Sequence, residues 1–363
     1  MIKIPLIKPF IPPKEILLPR LEQILYSGYI AEGEATAAFE QNLSELLGNP
    51  YCLAVNSGTA ALHIALTMIG VGKGDEVIST ALTAEPTNTT IALTGAKVIF
   101  ADVDIETGLI SPESIEVNIN EKTKAIMVVH YAGMVCDMDR INALSAKYNI
   151  PVIEDASHAF LSSYNNQYVG NNSPYTCFSF QAIKHLTTVD GGLLCVKSES
   201  DYNRVRKLRW FGLDKKVPRL ESNIQEAGFK YHMNNVNATV GLVQMEFLEA
   251  NVMKYIANGQ YFDEQLAGIP GVTLIPYYPN TSPSYWLYTI KVEHRDEFIR
   301  MMADAGVMAS PLHLRNDRHS VFGSSATLSN LDRFYNEFVH IPCGWWLSEE
   351  DLSLIKSSIK GGW

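Results

Sequence analysis

Across 363 residues, 39 Asp and Glu against 29 Lys and Arg leave a formal net charge of −10, with 47% hydrophobic and 19% charged residues. That composition excludes disordered, collagen-like and coiled-coil chains. The acidic balance argues against nucleic acid as a general partner, so any anionic ligand must be held by a local site.

The length suits about two domains. Cys52, Cys136, Cys177, Cys195 and Cys343 are widely spread without CxxC spacing, which suggests neither a disulfide framework nor a zinc site. A reducing, cytoplasmic setting is expected. The opening MIKIPLIKPFIPP is broken by prolines too often for a signal-peptide core, and no later stretch stays apolar long enough to span a bilayer.

From residue 51 to about 200, short apolar runs alternate with helical segments: CLAVNSG then TAALHIALTMIG, DEVIST then PTNTTIALTG, KVIFADVD, AIMVVHYAG then DMDRINALSAKYN, and PVIEDAS. Strands apolar on both faces between amphipathic helices predict an α/β layer domain with a mostly parallel sheet covered on both sides. YTCFSF and GGLLCVKS extend that sheet, and the spacing lets the second run antiparallel. After ESDYNRVRKLRWFG and a polar stretch to Gly228, a long helix is expected from about Asn235 to Leu266. VTLI, YWLYTIKV, DEFIRMMADAG and SEEDLSLIKSSIK then read as a smaller α+β unit. The division is placed at residues 1–250, including an N-terminal arm, and 251–363.

Three segments carry chemistry. Asn56-Ser57-Gly58-Thr59 ends a strand and opens a helix, where free N–H groups and the Ser57 and Thr59 hydroxyls make either a phosphate seat or a plain helix cap. Glu154 and Asp155 end another strand. Asp155 points toward the cleft outside the carboxyl ends of a parallel sheet, where it either holds a protonated ring nitrogen or is a solvated strand-end carboxylate, and Glu154 reads as the latter. His158 is either a ligand neighbour or an interior histidine. In SFQAIKHLTTVDGG, Lys184 sits among apolar and small residues and is either a surface charge, as a lone lysine ordinarily is, or a Schiff-base nucleophile whose pKa desolvation lowers. No metal site is suggested. Gly70 to Gly74 lack a dinucleotide or P-loop spacing and read as a helix-ending turn; Asp102 and Asp104 read as a strand-end turn, and Trp345-Trp346 as packing of the C-terminal unit.

Together NSGTAAL, VIEDASHA, SFQAIKHLTTVDGG and GFKYHMNNVNATVGLVQMEFLE, in that order, resemble the DegT/DnrJ/EryC1/StrS sugar aminotransferases, and the likeness runs from GYIAEGEATAAFE to IPCGWWLSEED. The resemblance implies the aspartate aminotransferase-like fold (fold type I) and pyridoxal 5'-phosphate. Lys184 would carry the imine and shuttle the proton, Asp155 would pair with the pyridine nitrogen, and His158 would lie near the ring's phenolic oxygen. Ser179, Ser57, Gly58 and Thr59 would hold the phosphate, with Lys230 or Asn234 reaching it from the partner of a homodimer with shared active sites. The ring-stacking position falls on Ala84. Tyr29, Gly33, His185, His313 and Arg315 are the substrate candidates, with Tyr285-Trp286 a weaker pair. Related sugar dehydratases carry His at the imine position; here it is Lys184, which favours transamination. The implied reaction moves an amino group from L-glutamate to a keto group, at C4, of a nucleotide-linked 6-deoxy-keto-hexose for a surface glycan such as O-antigen. A C3 aminotransferase and a non-catalytic regulator that binds the cofactor or a nucleotide sugar are the alternatives.

Overall fold

The computed structural model describes residues 2–323 and 327–363. The first half of the chain supplies β1 (Cys52–Val55), β2 (Glu76–Thr80), β3 (Lys97–Ala101), β4 (Thr123–Val129) and β5 (Val152–Asp155). The hairpin strands β6 (Ser163–Tyr164) and β7 (Gln167–Tyr168) follow, then β8 (Tyr175–Ser179) and β9 (Gly192–Val196). Around them lie α1 (Lys14–Leu25), α2 (Glu34–Leu47), α3 (Gly58–Ile69), α4 (Glu85–Leu93), α5 (Pro112–Asn118), α6 (Met138–Tyr148) and α7 (Glu199–Leu208). The main sheet has the order β1-β9-β8-β5-β4-β2-β3. Its neighbours pair in parallel except around β9, which is antiparallel to both β1 and β8. Strands β1, β5 and β9 are buried along their whole length, as a sheet covered on both faces requires.

Helix α8 (Asn235–Gln265) links this layer to the smaller unit. That unit holds β10 (Val272–Leu274), β11 (Thr281–Ser282), β12 (Tyr288–Val292), α9 (Arg295–Asp304), α10 (Ser329–Glu337), β13 (Phe338–Ile341) and α11 (Glu349–Lys360). β10, β12 and β13 make an antiparallel sheet, whereas β11 joins the β6-β7 hairpin. We place the change of packing within α8, since Leu248 and Val252 join the large core and Phe262 and Leu266 join the small one. Ile4 also packs in the small core, through a bridge to Val307, and Phe10 meets Trp345 edge-on. Among the described residues, no helix is long and apolar enough to cross a membrane.

Gly70, in the left-handed region at φ 76°, ends α3 as the turn reading expects. Asp102 accepts from the Asn330 and Leu331 N–H groups and so caps α10.

Glu154 overturns its sequence reading. It is fully buried, because its side chain leaves β5 on the face opposite Asp155 and enters the core. Its carboxylate accepts from His130 Nε2 at 2.7 Å, the Ser173 N–H at 2.9 Å and Thr176 Oγ1 at 3.3 Å. Burial would raise its pKa, but these donors outweigh it and hold the carboxyl below its usual range. Glu154→Ala leaves the donors unanswered and should lower the unfolding free energy by about 3–5 kcal/mol. A folded pKa below the unfolded one stabilises above the ordinary value near 4.5 and ceases to do so as pH falls through the folded value. The difference in denaturant midpoint between wild type and variant should therefore be flat near neutrality and collapse in acid.

Candidate active site

The carboxyl ends of β1, β2, β4, β5 and β8 face one cleft of about 320 Å³. After β1, the Ser57 hydroxyl accepts from the Ala60 N–H at 3.0 Å and caps α3. The first-turn N–H groups of Gly58 and Thr59 have no carbonyl one turn earlier, and with the helix dipole they favour an anion. Ser179, at the end of β8, stands against this turn. A Cβ on Gly192 would lie 2.6 Å from the Gly58 nitrogen, and one on Gly58 would lie 2.9 Å from the Ser179 Cβ. Only glycine at both positions lets three strand ends close into one cradle.

Asp155 is fixed on both oxygens. Thr87 Oγ1 donates to Oδ2 at 2.7 Å, and the Ser157 N–H donates to Oδ1 at 3.1 Å. Thr87 has one hydroxyl proton, so Thr83, 2.8 Å away, must donate to Thr87. This hydroxyl relay was absent from the sequence reading. The spacing of Thr83 and Thr87, from a strand end to the first turn of a helix, was its only signal.

Lys184 lies in the loop between β8 and β9, with Nζ 4.0 Å from the centroid of the Trp286 ring. Burial lowers its pKa to about 7, a fall that the Asp155 charge limits. His158 stacks on the same indole at 3.9 Å and 20°. The Ala132 N–H donates to its Nδ1 at 3.4 Å, so the neutral ring carries its proton on Nε2. Burial, then the Lys184 charge, holds the His158 pKa well below the usual histidine value. The His313 ring lies parallel to His158 at 6.0 Å and 5°. Burial and then Lys184 lower its pKa to about 4, and its Nε2 is buried with no hydrogen-bond partner among the described residues. Asn316 sets this loop: it donates to the Thr83 carbonyl and accepts from Asn88, both at 2.9 Å.

The cleft thus gathers Ser57, Gly58, Thr59, Ala84, Asp155, His158, Ser179, Lys184 and His313. Other candidates lie elsewhere. The His185 ring is buried and donates from Nε2 to the Ser284 carbonyl at 3.1 Å, with no face left for a substrate. Arg315 is also buried, its guanidinium engaged by Asp317 at 2.7 and 2.8 Å and by Asp332, which leaves no fork for a diphosphate. Tyr29 is 79% exposed, and its carbonyl accepts from Asn235. Gly33 precedes α2, where a Cβ would strike the Asn235 amide. Lys230 is exposed, and the Asn234 side chain caps α8 by accepting from the Asn237 N–H.

Residues 14–360 match the DegT/DnrJ/EryC1/StrS aminotransferase family. The chain belongs to that family. Among solved structures, AtS13 from Actinomadura melliaura is 36% identical over 99% of both chains, with a TM-score of 0.96. The sugar aminotransferase CalS13 from Micromonospora echinospora is 34% identical over 99% of this chain and 100% of its own, at 0.95. Spr1654 from Streptococcus pneumoniae, solved in a PLP form, is 27% identical over 99% of this chain and 98% of its own, at 0.90. This family member is a pyridoxal phosphate-dependent aminotransferase of fold type I.

The cleft fits that cofactor: a glycine-built anion cradle, a carboxylate fixed at a strand end, and a desolvated lysine all face one space. Gly192→Ala, which drives a Cβ into the cradle, should weaken cofactor binding at least about tenfold in an absorbance titration.

Proposed function

We propose that this aminotransferase moves the amino group of L-glutamate to the keto carbon, at C4, of a nucleotide-linked 6-deoxy-keto-hexose, making an amino sugar for a surface glycan such as O-antigen. The likeness to CalS13, a sugar aminotransferase, over nearly the whole chain supports the sugar class. The observation that carries the reading is Lys184, held desolvated in the same cleft as Asp155 and His158.

Pyridoxal phosphate, when bound, supplies an aldehyde that takes up and returns the amino group and an electron-withdrawing ring beside the reacting carbon. Lys184 would hold it covalently and carry the proton to and from that carbon on Nζ. Asp155 would hold the proton on the ring nitrogen, with Thr83 and Thr87 keeping the carboxylate aimed. Neutral His158 would offer its Nε2–H to the ring oxygen. Ser57, Gly58, Thr59 and Ser179 would hold the phosphate, while Ala84 leaves an open face where a stacking side chain could stand. His313, with Nε2 unanswered, is the sugar-contacting residue on this protomer. We propose a cytoplasmic homodimer, in which residues 228–234 of one protomer reach the other's cradle through Lys230 or Asn234. The exposure of Lys230 supports that role.

Adding pyridoxal phosphate and then borohydride should leave a pyridoxyl group on Lys184 in a peptide map and on no residue of Lys184→Ala; a label elsewhere would refute the assignment. Asp155→Asn should keep the label yet lose most turnover with glutamate, and near-normal turnover would remove the ring-nitrogen role. A lysine titrating at about 7 is neutral, and so able to take a proton, only above that pH. Turnover should therefore fall about tenfold per pH unit on the acid side and level off above, which a kcat profile checks.

A further inference from the structure

The strongest feature outside the roles assigned above is the turn Ser284-Tyr285-Trp286, which grips the lysine loop from both sides. The Trp286 indole N–H donates to the carbonyl of Ile183, immediately before Lys184, at 2.9 Å. The Ser284 carbonyl accepts from His185, immediately after it, at 3.1 Å. Between these two bonds the Lys184 amine stands 4.0 Å from the centroid of the indole, and His158 stacks on that indole at 3.9 Å. Trp286 is 1% exposed and spends its single polar group on the lysine loop rather than on water.

The turn is itself held hard. Tyr285 lies in the left-handed region at φ 50°, which a bulky residue adopts only when its surroundings impose it. Its hydroxyl donates to Asp263 at 2.6 Å, and Asp263 also receives the hydroxyls of Tyr277 and Tyr288 at 3.0 and 2.8 Å. The Ser284 N–H donates to Ser162 at 3.0 Å, and Gly133 packs so closely that a Cβ there would lie 2.9 Å from the Tyr285 nitrogen.

We propose that Trp286 is a positioning residue for Lys184: its face is the seat of the lysine amine whenever that amine is free of the cofactor and carries a proton, and its N–H fixes the loop that aims the amine. An aromatic face attracts an ammonium most strongly where water is excluded, and indole does so better than phenyl. The other groups facing Lys184 are Asp155, which favours its charged form, and His158, His313 and His185, which are neutral there because burial lowers all three. Glu85 and Asp190 line the same cleft. The indole is therefore the one uncharged contact that favours the protonated amine among these neighbours, and its removal should lower the pH at which Lys184 deprotonates.

This inference rests on the proton-carrying role given to Lys184, but its main readout does not. In the cofactor-free full chain, the pH of half-acetylation of Lys184 by acetic anhydride, followed by peptide mapping, should fall by about one unit in Trp286→Leu and by less in Trp286→Phe. With cofactor bound, kcat should fall in both variants and the rise of kcat with pH should move the same way, while KM for glutamate holds. A Trp286→Phe chain whose half-acetylation pH and kcat profile both match wild type overturns the assignment, whether or not Trp286→Leu folds. Failure of the reaction reading is distinct and shows as a wild-type Lys184 that takes no pyridoxyl label.

Discussion

Exclusion of water from a single lysine is the constraint on which this site depends. A free ammonium would hold its proton far above neutrality; stripped of solvent in the cleft, Lys184 gives it up near physiological pH. Burying a cation is unfavourable, and the surroundings offset this without restoring the ordinary pKa. Asp155 supplies the charge that keeps the shift from going further, and Trp286 supplies a polarisable face in place of water. The neighbouring histidines are kept neutral, so they add little repulsion. The same dryness that makes the amine reactive makes each polar atom around it accountable for a partner, which is why the cleft is framed by spent hydrogen bonds.

That accounting explains the geometry around the cleft. The Thr83-Thr87 relay ends on Asp155, Asn88 and Asn316 weld the His313 loop to the strand end after β2, and Asp263 collects three tyrosine hydroxyls behind the Tyr285 turn. Rigidity here comes from polar groups with no alternative partner, set on the scaffold of a close-packed sheet. Two atoms of these groups break the pattern, Asn88 Oδ1 and His313 Nε2, both buried with no partner among the described residues; of the two, His313 belongs to the lining of the cleft a ligand would fill.

The sequence made the main sheet legible because buried parallel strands read as unbroken apolar runs, and the antiparallel course of β9 was open to it because no crossover helix precedes that strand. Helices α3, α6 and α8 followed from their periodicity. β13 and α10 were missed because FVHI and SNLDRFYNE are short and partner only distant segments. In the cleft, the ordered motifs brought Ser57, Asp155, Ser179 and Lys184 to one place. What eluded reading were side chains whose direction depends on tertiary packing. Arg315 and His185 carry donors in a promising loop or motif, yet point into Asp317 and Ser284. Glu154 resembles Asp155 in every local respect, but the two-residue period of a strand sends it into the core. Trp286 gave the reverse lesson: an aromatic named only as a weaker substrate candidate touches the lysine.

The pairing of Ile4 with Val307, and of Phe10 with Trp345, carries a consequence for how this molecule is made. The small core borrows its edge from the beginning of the chain, so it closes a loop of roughly 300 residues, a separation whose entropic cost grows only logarithmically but whose search is slow. On the ribosome, the first residues emerge long before their partners exist. The α/β layer can assemble around its sheet while that segment waits, and the small core completes only after Val307 has left the tunnel. Order of synthesis and order of assembly are thereby uncoupled for these two distant segments.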